Sequence, residues 1–183
     1  MIYHLSLQSA GIAAGLTLLF VSLPGLVKPE AASGWMRTLP RSRAIGIVLL
    51  TLAFLWSFWL LGTMEMGEFS SFRKPLLFAL PVGYFLVLRF VNEFLAVRAL
   101  GILFLLAAEP LLEAAFLRYE MSRLLVTVFA YVLIIAGLFW VTMPYLLRDH
   151  IRWGTRSTAR WRAINALALV YSAALLICAI TRY

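Results

Sequence analysis

Arg98, Glu109 and Glu113 are the residues whose types and spacing could do chemistry, because they interrupt an otherwise apolar region. Arg98 and Glu109 are 11 residues apart, close to three helical turns, so on one helix they share a face. Glu113 lies one turn further, and Arg98 to Glu113 would cover roughly 22 Å at 1.5 Å per residue. Pro110 can bend that geometry. A charge at mid-bilayer costs at least ~2.5–3.5 kcal/mol, so such groups are expected against protein or water. The chemistry implied is a proton or cation relay, or a polar ligand site, with Glu109 deepest and turned into the bundle beside a polar partner. A structural alternative stands next to it. Arg98 and Glu113 can snorkel to opposite surfaces while Glu109 bonds a neighbouring helix.

The second pattern is basic. Arg148, Arg152, Arg156 and Arg160 recur every four residues, which on a helix makes one slowly drifting stripe with Ile151 and Trp153 beside it. Such a stripe suits anionic lipid headgroups or the acidic surface of a protein partner. Gly154, Thr155, Ser157 and Thr158 weaken the helix, and an ordinary excess of basic residues in cytoplasmic loops also explains the stripe. The third pattern is steric. Gly11 and Gly15 form a GxxxG with Ala10, Ala13 and Ala14 nearby, and Ala166, Ser172, Ala173 and Ala174 make a similar set near the other end of the chain. Small residues let helices approach closely, either to close one bundle or to join two chains. Asn165 can hydrogen-bond across such a contact.

Catalytic and metal-binding patterns are not found. The two histidines, His4 and His150, are expected on opposite sides of a membrane, which disfavours a bis-histidine haem or zinc site. There is no HExxH, GxSxG or P-loop pattern. The lone cysteine, Cys178, excludes an intrachain disulfide and a cysteine metal cluster. Glu65 and Glu68 near Arg73 and Lys74 suit a solvated mixed-charge loop. No cofactor is indicated.

The elements that must position these residues follow from composition. Of the 183 residues, 63% are hydrophobic and 13% charged; a soluble domain needs about 25% charged to cover itself. The chain is expected to be a single transmembrane helical domain over residues 1–183. Its net charge of +8 would suggest nucleic acid in a soluble protein. Here the arginines cluster between apolar runs, so membrane lipid is the expected partner instead. Uncharged runs cover Leu5–Val27, Ala44–Met64, Leu124–Leu147 and Ala163–Thr181, each near the ~20 residues a span requires. No basic residue precedes the first run, so it is expected to be a retained helix rather than a secretory signal.

The middle is harder to read. Pro75–Leu88 gives 14 uncharged residues and Ala99–Ala108 gives 10. The favoured reading is two more helices joined by a tight turn near Asn92 and Glu93, hence an all-α integral membrane bundle of about six spans. Four spans plus a re-entrant hairpin is the alternative. With six spans, 11 basic residues fall on one side, including Arg37, Arg41, Arg43 and the later arginine cluster, against 5 on the other. The richer side is expected to be cytoplasmic, with both termini outside. Trp35, Trp153 and Trp161 beside the basic loops suit the headgroup layer. Short proline-interrupted segments can line transporter sites, but no internal repeat accompanies them. The expected function is a non-catalytic membrane subunit or scaffold of a larger complex, in contact with other chains; a small transporter or channel using Glu109 and Glu113 is the alternative.

Overall fold

The computed structural model describes residues 3, 5–91 and 93–182; His4 and Asn92, named above, lie outside them. Six helices among the described residues are long and apolar enough to cross a membrane, and no strand accompanies them. In chain order the helices are α1 (Leu7–Val27), α2 (Pro29–Thr38), α3 (Arg43–Thr63), α4 (Arg73–Phe90), α5 (Leu95–Ala115), α6 (Arg123–Thr142), α7 (Tyr145–Gly154) and α8 (Thr158–Thr181). Helices α2 and α7 are short; the other six are the spans. The chain is an all-α, multi-pass membrane bundle.

Local chemistry sets the boundaries. Ser6 caps α1 by accepting from the Ser9 amide at 3.1 Å, and Ser42 caps α3 by accepting from the Ile45 amide at 3.3 Å. The run from Leu124 to Leu147 is cut at Thr142, two residues before Pro144, which lacks an amide to continue the helix. In the middle region the two short runs lengthen by absorbing charge. Arg89 enters the last turns of α4, and Arg98, Glu109 and Glu113 all enter α5. Both are full-length helices, so the re-entrant hairpin is not formed. Phe94, at φ 55°, sits in the left-handed region at the start of α5 and turns the chain there.

α5 is the hub. It packs most extensively on α6, then on α3, and α1 pairs with α8. Lipid tails solvate apolar side chains well, so these contacts must rest on close backbone approach and interhelical polar bonds. At the α5–α6 crossing Gly101 faces Gly137. A methyl on Gly101 would lie 2.9 Å from the Gly137 carbonyl oxygen, and one on Gly137 would lie 2.8 Å from that of Gly101. The α1–α8 pair is antiparallel, with Gly15 against Ser172 and Leu176, and Gly25 against Asn165. The buried Ser172 hydroxyl donates to the Gly15 carbonyl at 2.7 Å.

Alternate ends of the spans gather at two ends of the bundle. α2 and α7 lie at the basic end. On α7, Leu147 and Ile151 are buried against Leu39, Ala96 and Val97, while Arg152 stays exposed. Trp35 and Trp153 are exposed there, whereas Trp161 is buried against the protein.

Candidate functional sites

The basic end holds a pocket of about 720 Å³ between two loops far apart in sequence. Arg37, at the end of α2, and Arg41, in the following 3-10 turn, form one wall; α7 and the turn after it supply Arg148, Asp149, Arg152 and Arg156. Arg37 joins the walls: its Nε donates to the Thr155 hydroxyl at 2.9 Å and its Nη2 to the Thr155 carbonyl at 2.7 Å. Thr155 is itself held, since its hydroxyl donates to the Ile151 carbonyl at 2.7 Å. Arg148 pairs with Asp149 at 3.0 Å. The side chains of Arg41, Arg152 and Arg156 make no hydrogen bond to any described residue.

The even arginine spacing therefore does not become one helical stripe. Arg148 and Arg152 ride on α7, Arg156 follows it in the turn, and Arg160 opens α8. The physical reason is the break after Gly154, where the chain reverses before Ser157. Arg160 lies outside the pocket, donating to the Trp153 carbonyl at 3.1 Å with its guanidinium 4.6 Å from the Trp153 ring. Arg37 and Arg41 were missed as members of the site. Their four-residue spacing and their place on the same side of the bundle were visible, but the partnership with residues over 100 positions away was not.

At the opposite end, Glu109 and Glu113 line an open groove of about 630 Å³ with Leu105, Leu112, Phe116 and Ile134. Glu109 is exposed and its carboxyl makes no hydrogen bond to a described residue, which corrects the expectation of an interior carboxyl with a polar partner. The cause is rotational. α5 turns Ala108, Leu111, Ala114 and Ala115 into the core, and this leaves Glu109 on the groove wall. Glu113 accepts from the Tyr3 amide at 3.3 Å, and the Tyr3 hydroxyl accepts from Trp56 Nε1 at 2.7 Å. Tyr3 thus straps α3 to α5. Burial pushes its phenol pKa up, the Glu109 and Glu113 charges push the same way, and the Trp56 hydrogen bond opposes them. Arg98 is not part of this groove. It sits near the other end of α5, roughly 16 Å from Glu109 at 1.5 Å rise per residue, with its Nε buried and without a partner among the described residues.

Gly11 and Gly15 are buried in the face of α1 within the bundle, with Gly15 directly against α8. His150 lies exposed on α7, and the described residues contain no group of three or more His, Cys, Asp or Glu side chains able to hold a metal. The arrangement thus offers two kinds of chemistry: a cluster of fixed guanidinium cations at one end and a pair of carboxylates at the other. In comparisons with known protein families, with curated proteins and with solved structures, the chain matches none of them.

Proposed function

We propose that the chain is a non-catalytic subunit of a larger membrane assembly and that α4 forms the face that meets a partner chain. The observation that supports this reading is the isolation of α4. It has no buried residue and is held mainly by α3, through contacts such as Thr51 to Tyr84 at 2.9 Å and the tilted ring pair of Phe54 and Tyr84, centroids 4.8 Å apart. Its free face presents Phe78, Val82 and Phe85, 78%, 59% and 67% exposed, at the four-then-three spacing that a second helix can interleave with. Gly83 beside them has open space around it. In this reading the basic end faces the cytoplasm and both termini lie outside, because arginine-rich loops resist translocation.

A photo-crosslinking side chain at Phe85, in native membranes, should join the chain to another protein. The same group at Leu167, equally exposed on α8, serves as the lipid-facing control. Crosslinks to lipid alone at both positions would remove the subunit reading.

A second reading, a small cation transporter or channel, is favoured by the exposure of Glu109 in a groove beside Glu113. It requires that the chain purified alone move cations across liposomes and that Glu109→Gln abolish the flux while the fold survives. Flux from the isolated chain that depends on Glu109 would replace the subunit reading with this one.

A further inference from the structure

We infer that the pocket between α2 and α7 binds a phosphate-bearing anion with two or more negative charges. Five guanidinium groups line it against a single carboxylate, that of Asp149. Arginine stays protonated at any physiological pH, so this imbalance cannot be relieved by losing protons. Like charges brought together on two packed elements repel, and an anion between them turns that repulsion into attraction. Not all five are equivalent. Arg37 is committed to Thr155 and Arg148 to Asp149. Arg41, Arg152 and Arg156 have their donors free for a ligand, and they come from both walls of the pocket. Arginine's planar fork matches phosphate oxygens two at a time, which a lysine cannot do.

The site is built rather than incidental. The double hydrogen bond from Arg37 to Thr155 fixes one wall against the other, and the burial of Ile151 and Leu147 fixes α7 to the bundle. About 720 Å³ exceeds what a bare phosphate fills and leaves room for the group esterified to it. The pocket also lies where the spans end, beside the exposed Trp153, at the level expected of lipid phosphates. The shared chemistry is therefore a phosphate ester, supplied either by an acidic phospholipid headgroup or by a soluble anion.

The test uses the full chain in nanodiscs. One arm compares phosphatidylcholine discs with discs also containing phosphatidic acid, reading lipid retained by native mass spectrometry. The other adds inorganic pyrophosphate to pure phosphatidylcholine discs and reads the unfolding midpoint. The test variant is Arg41→Gln, Arg152→Gln, Arg156→Gln; the charge-matched control is Arg118→Gln, Arg123→Gln, Arg182→Gln at the opposite end. Retention of phosphatidic acid by the native chain and the control, weakened about tenfold or more in the test variant, identifies a headgroup site. A pyrophosphate-induced rise in midpoint, lost only in the test variant, identifies a soluble phosphate ester. Lysine at the same three positions preserves charge and should retain part of the response, which separates loss of the ligand from loss of the fold. Equal responses to both probes in the native chain and the test variant would overturn the proposal, as would an equal loss in the control.

Discussion

Gly101 and Gly137 place two backbones in contact at the α5–α6 crossing, and neither has space for a Cβ. Gly101→Ala or Gly137→Ala should each lower stability by about 1–3 kcal/mol through overpacking. Gly83→Ala has open space and should be neutral or stabilising, by up to ~1 kcal/mol of helix propensity. Unfolding in mild detergent measures all three, and an equal loss at Gly83 would show that the effect is not steric. Tyr3 supplies a pH prediction. Its phenol is raised above the ordinary 10.0, so the folded state holds the proton more tightly than the unfolded one. That contribution is fully present below pH 10.0 and is lost as pH rises through the higher folded value. Stability should thus fall more steeply on the alkaline side of pH 10.0 in the native chain than in Tyr3→Phe; parallel curves would disprove the coupling. At this scale the sequence made Glu109 and Glu113 neighbours on one face but did not say where that face turns. Apolar residues surround them on every side of α5, because a span is greasy toward both lipid and protein.

Among the elements, the four long uncharged runs were legible from length alone. α4 and α5 were legible only as shortened versions, because Arg89, Arg98, Glu109 and Glu113 lie inside the helices rather than between them. The tight turn expected near Asn92 and Glu93 is formed at Glu93 and Phe94, and Asn92 lies outside the described residues. α7 escaped notice as a separate helix, since Tyr145–Leu147 continues the hydropathy of α6 and only Pro144 marks the break. Its anchor is testable. Ile151 is buried against Leu39, Ala96 and Val97, so Ile151→Ala should cost about 2 kcal/mol or more from the cavity. The unfolding midpoint should fall, and the pocket's response to pyrophosphate should fall with it, because α7 carries one of its walls. A midpoint unchanged from the native chain would mean that α7 is not packed as described.

For the whole molecule, the six-span bundle was legible because hydrocarbon thickness sets a length that charge-free runs reveal directly. The meeting of Arg37 and Arg41 with the second basic loop was not, since it depends on how α2 and α7 lie across the bundle end. Orientation gives the prediction at this scale. In a Cys178→Ser background, Ser42→Cys and Ser157→Cys should resist an impermeant thiol reagent added to intact cells, and Ser70→Cys at the opposite end should react. The reverse pattern would invert the topology. The pairing of α1 with α8 also governs the order of assembly. α1 is synthesised before α8, yet α8 is the span that covers Gly15 and supplies the Ser172 hydroxyl to its carbonyl. During synthesis the small-residue face of α1 must therefore stand open until α8 emerges. That delay gives any other small-faced helix in the membrane a chance to occupy it, and a chain truncated anywhere before α8 keeps that face open to misassembly.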